Sequence, residues 1–127
     1  NMNYRLCLVS NAQNGKNQRA KLKRLEIENY FDSIVISAEI GIEKPDKRIF
    51  EYALNSMSAK ASESFFIGDH PVNDYKGSQD AGFKSIWIEG AHNWPESLET
   101  PCKISNLNEL CSLLKKLQNT QKDTLKI

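Results

Sequence analysis

Phe65-Phe66-Ile67-Gly68-Asp69-His70-Pro71-Val72-Asn73-Asp74 decides the fold. Three apolar residues in a row end at glycine and aspartate, which predicts a strand buried on both faces of a parallel sheet and halted by a polar loop. Two carboxylates, Asp69 and Asp74, then share a tight turn that opens a helix. Anions so close repel unless a positive charge lies between them, and a hard divalent ion such as Mg2+ prefers oxygen ligands of this kind. Read alone, the pattern suits equally well a strand end at Asp69 and a helix cap at Asp74.

Working outward, other short apolar runs repeat the strand signal. Leu6-Cys7-Leu8-Val9 stops at Ser10-Asn11, Ile34-Val35-Ile36 is β-branched throughout, and Ser85-Ile86-Trp87-Ile88 closes the series. Between them lie helical patterns. Lys16 to Asn29 carries Ala20, Leu22, Leu25 and Ile27 among basic and acidic residues, predicting an amphipathic surface helix. Pro45 suits the first turn of a helix that runs to about Met57, with Ile49, Phe50, Ala53 and Leu54 on its apolar side. A short helix from about Asp74 to Ala81 ends at Gly82, where glycine tolerates the left-handed conformation of a helix stop. Asn106 is a candidate N-cap for a final helix with Leu107, Leu110, Leu113, Leu114 and Leu117 at helical spacing.

Strands alternating with helices predict an α/β fold, a parallel sheet covered on both faces, with functional groups in the loops beyond the strand carboxyl ends. One domain is expected over residues 1–118. Residues 119–127 read as a polar tail that frays.

Composition narrows the function classes. The 127 residues carry 17 basic and 16 acidic side chains for a net charge of +1, which gives no electrostatic reason to expect nucleic acid or a membrane surface as partner. A small molecule is the expected ligand. Cys7, Cys102 and Cys111 make an odd set without CxxC spacing and read as reduced thiols of a cytoplasmic protein. No apolar run approaches the roughly 18–20 residues of a membrane-spanning helix.

Three predicted strand ends carry polar groups. Besides Asp69 and Asp74, Lys44 offers a compact ammonium suited to phosphate or carboxylate. Ser10 and Asn11 offer a hydroxyl and an amide that either bond phosphate oxygens or serve as ordinary turn residues. His70 reads as a histidine at the site rim, and Trp94 as a cover for the edge of the core.

The words and their order become specific when taken together. Leu8-Val9-Ser10-Asn11, Tyr30-Phe31-Asp32, Gly41-Ile42-Glu43-Lys44-Pro45-Asp46 with Ile49-Phe50, Ile67-Gly68-Asp69 with Asn73-Asp74, and Ala81-Gly82 resemble the second, third and fourth signature motifs of the haloacid dehalogenase-like (HAD) hydrolase superfamily, over roughly residues 4–90. That resemblance implies a three-layer Rossmann-like core and a Mg2+-dependent phosphatase chemistry. It implies that Ser10 binds the transferred phosphoryl group beside Asn11, and that Lys44 neutralises nucleophile and phosphate. By the same resemblance Asp69 is a direct Mg2+ ligand and Asp74 its supporting carboxylate. These roles agree with the demands of phosphoryl transfer, which is catalysed by positioning and charge neutralisation.

The family's first motif, Asp-x-Asp after a first strand, is absent from these residues, and so is the cap module that selects the substrate in related enzymes. The chain is therefore expected to represent the carboxy-terminal half of such a core. Alone it is expected to be inactive, because no carboxylate nucleophile is available to form a phospho-enzyme, and to bind Mg2+ weakly or not at all. In the family the motif-one strand lies between those read here at Leu6–Val9 and Phe65–Ile67. Its omission predicts that those two strands pair directly, or that their facing edges invite self-association or an N-terminal half to complete the sheet. The other class of function is a non-catalytic HAD-like binding or scaffold module. A receiver-like domain ranks below both, since it expects an acidic pair early in the chain and none precedes Asp32.

Overall fold

Elements follow one another as β1 (Cys7–Ser10), α1 (Gly15–Arg24), β2 (Ser33–Ile36), α2 (Ser37–Ile40), α3 (Lys47–Ser56), β3 (Ser64–Gly68), α4 (Gly77–Asp80), β4 (Lys84–Ile88), β5 (Lys103–Ile104), α5 (Leu110–Gln118) and β6 (Thr124–Lys126) in a computed structural model that describes residues 4–118 and 124–126. Every strand pairing is parallel. β1 pairs with β2 from Cys7↔Ser33 to Ser10↔Ile36, and β3 pairs with β4 from Phe65↔Lys84 to Gly68↔Trp87. Hydrogen bonding divides the strands into β1-β2 and β5-β4-β3-β6.

β3 is buried on both faces because successive side chains point to opposite sides. Phe66 joins Cys7, Val9, Val35, Ile49, Phe50, Ala53, Met57 and Phe83 under α3. Phe65 and Ile67 join Ile86, Ile104, Leu110 and Leu114 under α5. Helices thus cover both faces, and the α/β, Rossmann-like parallel arrangement expected from the sequence is the observed fold. Phe50, Phe66 and Phe83 meet edge to face with centroids 5.1–5.9 Å apart, a geometry worth about 0.5–1.5 kcal/mol per pair beyond area burial. This triad seats α3 against the strand that leads into the polar edge.

Several boundaries differ from expectation for local reasons. α1 ends at Arg24 instead of Asn29: Glu26 adopts φ 58°, Ile27 N donates to Leu22 O and Glu26 N to Lys23 O, a Schellman stop without glycine. Leu25 is consequently 54% exposed, and of the predicted apolar side of α1 only Leu22 is fully buried. Pro45 lies before α3 and not in its first turn; Asp46 caps that helix by accepting from Arg48 N at 2.9 Å. The helix expected from Asp74 is a wide π-type turn over Pro71–Lys76 followed by α4, and Gly82 at φ 95° ends it as predicted. Asn106 makes no side-chain cap bond, and a 3-10 turn over Leu107–Glu109 precedes α5.

The largest departure is at the edge of β3. β1 does not pair with β3; instead β6 runs parallel to β3 in register Ser64↔Thr124, Phe65↔Leu125 and Phe66↔Lys126, and it also approaches β1. Unpaired N–H and C=O groups on a strand edge are a template for a further strand, and residues 124–126 of the expected polar tail form that strand here. Residues 119–123 and 127, the rest of the expected tail, lie outside the described residues. β6 stops opposite Phe66, and among the described residues Ile67 and Gly68 have no strand partner on that side.

Candidate functional site

The carboxyl ends of β1 and β3 and the loop before α3 meet at one edge of the fold. Leu8, Val9, Ser10 and Asn11 line one side of a cavity of about 300 Å3 there, and Lys44 enters from the loop. Asp69, His70, Asn73 and Asp74 complete its lining. All five residues expected to carry chemistry, Ser10, Asn11, Lys44, Asp69 and Asp74, therefore share one cavity although they lie far apart in sequence.

The loop that presents Lys44 is held by side-chain amide pairing. Lys44 N donates to Asn11 Oδ1 at 2.8 Å, and Asn11 Nδ2 donates to Lys44 O at 3.0 Å, so Asn11 pairs with the backbone as a strand residue would. The ammonium then donates to Asp74 Oδ1 at 2.6 Å and to Val9 O at 2.9 Å. The Lys44 and Asp74 side chains are 11% and 8% exposed. Burying two charges is costly, and the pair is tolerated because each is hydrogen-bonded as well as paired. The second oxygen of Asp74 accepts from His70 N at 3.0 Å. A β-carbon at position 68 would fall on the Asp74 side chain, so glycine alone permits the strand end and this carboxylate to approach so closely.

Asp69 has a different environment. It is exposed, its carbonyl accepts from Trp87 Nε1 at 2.8 Å, and among the described residues its carboxylate accepts no hydrogen bond and joins no ion pair. The two aspartates are thus not equivalent: Asp74 is tied to Lys44 and the backbone, and Asp69 is open. Among the described residues no cluster of three or more His, Cys, Asp or Glu side chains suits a metal ion. An oxygen-seeking ion that keeps several waters and takes one or two carboxylates plus a phosphate still fits a lone exposed carboxylate in a cavity that Lys44 and Ser10 also line. Ser10 Oγ accepts from Gln18 Nε2 at 3.1 Å, which fixes the hydroxyl oxygen and leaves its hydrogen to donate.

Other contacts at this edge were not signalled by the sequence. Ser37, the first residue of α2, accepts from Ala12 N at 2.9 Å and donates to Ala12 O at 3.0 Å, holding the loop after Ser10. Gln18 reaches Ser10 from α1, and Trp87 holds Asp69 from β4. Each acts between different elements of the fold, 8 to 25 residues apart, where no local pattern points to it. Trp94 packs against Trp87 and Tyr75 at 4.9 and 5.0 Å and is partly buried, as read. Beside the Lys44 loop, Arg48 bonds the Asp46 carboxylate through its guanidinium and its backbone N–H, holding that carboxyl at about 2.

Comparison with known proteins agrees with the geometry. The family model described as haloacid dehalogenase-like hydrolase matches residues 1–88. The chain is 36% identical over 99 residues to the pyrimidine 5'-nucleotidase YjjG of Escherichia coli, covering 76% of this chain and 44% of that protein. It is 29% identical over 119 residues to a glyceraldehyde 3-phosphate phosphatase of Pyrococcus abyssi, covering 93% and 50% respectively. Among solved structures, the HAD-hydrolase YfnB of Bacillus subtilis bound to magnesium superposes with a TM-score of 0.77 at 30% identity, over 87% of this chain and 49% of that one. The chain thus spans about half the length of these relatives.

Proposed function

Because the chain belongs to the haloacid dehalogenase-like hydrolases, we propose that its polar edge is the charge-neutralising half of a Mg2+-dependent phosphomonoester hydrolase site. The observation that carries this reading is the single cavity lined by Ser10, Asn11, Lys44 and Asp69. The relatives named as phosphatases act on small phosphorylated molecules, and a substrate of that class is proposed for the whole protein.

The residues divide the work. An ammonium has three donors; two of those of Lys44 go to Asp74 and Val9, and the third is available to a phosphate oxygen. The Ser10 hydroxyl donates to a second oxygen. Asp69 is the proposed direct ligand of Mg2+, and Asp74 supports the site by holding Lys44. When bound, the ion would supply charge neutralisation at the phosphate oxygens. Pre-set donors of this kind lower the barrier because they need no reorganisation as charge moves.

No Asp-x-Asp occurs in these residues, so the carboxylate that attacks phosphorus is proposed to come from outside them, on an N-terminal half or a partner that completes the sheet. The same observation is what favours the second reading, a binding module that holds the anion without turnover. Cys102 and Cys111, exposed and outside any disulfide, support a reducing, cytoplasmic setting.

An aryl phosphate assay with Mg2+, run on protein of verified intact mass, tests the proposal. These 127 residues are expected to give no turnover above the Asp69→Asn variant while still binding inorganic phosphate. Turnover by the chain alone that needs Asp69 would overturn the assignment of the nucleophile to another segment.

A further inference from the structure

His70 sits at the pivot of the turn between Asp69 and Asp74, and its imidazole makes contacts that a rim histidine would not need. Its Nδ1 accepts from both Val72 N at 3.1 Å and Asn73 N at 2.9 Å. Its own backbone N–H donates to Asp74 Oδ2 at 3.0 Å. The other oxygen of Asp74 takes the Lys44 ammonium at 2.6 Å. One chain of bonds therefore runs from the His70 ring, through the turn it caps and the Asp74 carboxylate, to Lys44.

We propose that His70 is a positioning residue for Lys44, acting through a ring Nδ1 that accepts two backbone N–H groups. A ring nitrogen that accepts two N–H groups carries its lone pair there, and in a neutral imidazole the proton then resides on the other nitrogen. The cap fixes the first turn of Pro71–Lys76. That turn sets the distance between His70 N–H and Asp74, and so where Asp74 stands to meet Lys44.

The residue type has a physical rationale. Helix starts are ordinarily capped by Ser, Thr, Asp or Asn. An aspartate at position 70 would put a third carboxylate beside Asp69 and Asp74 and compete for Lys44. An imidazole nitrogen supplies the acceptor without a carboxylate's negative charge. Its ring also packs against that of His92, with centroids 4.8 Å apart, which limits the orientations open to it.

This inference rests on the reading of Lys44 as the group that meets phosphate, but its first test does not. Long-range proton–nitrogen NMR on the unmodified protein reports the tautomer directly: His70 is expected to show an unprotonated Nδ1 and a protonated Nε2, and an Nδ1–H tautomer would overturn the proposal. The side-chain ammonium signal of Lys44 is the second readout. It is expected to be resolved in the native chain, broadened in His70→Ala, and restored in His70→Asn, whose amide oxygen can take over the cap. Affinity for inorganic phosphate should follow, about fivefold weaker in His70→Ala and recovered in His70→Asn, the factor that corresponds to loss of roughly 1 kcal/mol of capping. An unchanged Lys44 signal in a folded His70→Ala, or no rescue by His70→Asn, would sink it. Should the native chain fail to bind phosphate while the tautomer and the Lys44 signal behave as stated, the phosphatase reading falls and the positioning role stands.

Discussion

The two walls of the cavity are built on opposite principles. On the Lys44–Asp74 wall the charges are nearly buried and bonded to one another, to Val9 and to the backbone of His70. At Asp69 and Ser10 the lining is open: the Asp69 carboxylate stands exposed with no protein partner among the described residues, and the Ser10 hydroxyl has its hydrogen to give. The first wall is organised by the protein's own bonds; the second is left open. This contrast teaches why a sequence can carry two aspartates in one short turn without wasteful repulsion: one is neutralised by Lys44, and the other stands in solvent, where a cation is proposed to meet it.

Breaking the organised wall should have the largest effect. Asp74→Ala leaves the Lys44 ammonium buried without its counter-charge, and loss of one partner from a buried pair costs about 3–5 kcal/mol. Urea denaturation should show this as a lower midpoint with little change in slope, and a loss below about 1 kcal/mol would mean that water replaces the carboxylate. Gly68→Ala attacks the same wall sterically, since its new β-carbon meets the Asp74 side chain. Overpacking of that kind costs about 1–3 kcal/mol, and it should also broaden the Lys44 ammonium signal.

The smallest effect is expected where a similar ion pair lies in solvent. Asp46 is paired with Arg48 and titrates at about 2 instead of 3.8, chiefly because of the hydrogen bonds from Arg48. A carboxyl whose folded value lies below its unfolded one contributes stability that is present above about 3.8 and lost as pH falls through about 2. Arg48→Ala should therefore move the Asp46 titration, followed by carboxyl-carbon NMR, back up toward its ordinary range. Because this ion pair is reached by solvent, with the Arg48 and Asp46 side chains 69% and 38% exposed, thermal stability at neutral pH should scarcely change, and a large change would erase the contrast between buried and exposed pairs.

Much of this was legible in the sequence, and the reasons for what was not are physical. Continuous apolar runs at 34–36 and 65–67 announced strands because both faces of each are covered, and the spacing of Ile49, Phe50 and Ala53 announced α3. The stop at Gly82 and the end of α3 near Met57 were readable, while the stop at Glu26, with φ of 58°, was not, since positive φ is uncommon outside glycine and has no sequence mark. β5 is two residues long and β6 three, too short for any periodicity. At the site, residue types and their order singled out Ser10, Asn11, Lys44, Asp69 and Asp74, which the fold brings to one cavity. The division of labour between the two aspartates was hidden, because it depends on Lys44 reaching Asp74 across 30 residues and on a histidine serving where a hydroxyl or carboxamide usually caps.

The most direct test of the account is a titration of inorganic phosphate with Mg2+ into nitrogen-15-labelled protein, followed by backbone amide shifts. Saturable changes confined to Ser10, Asn11, Lys44 and the Asp69–Asp74 turn, and lost in Asp69→Asn when Mg2+ is required for them, are the predicted result. Saturable changes centred elsewhere, for instance on the loop around Trp94, or none at all, would contradict the claim that these residues form one phosphate and cation site.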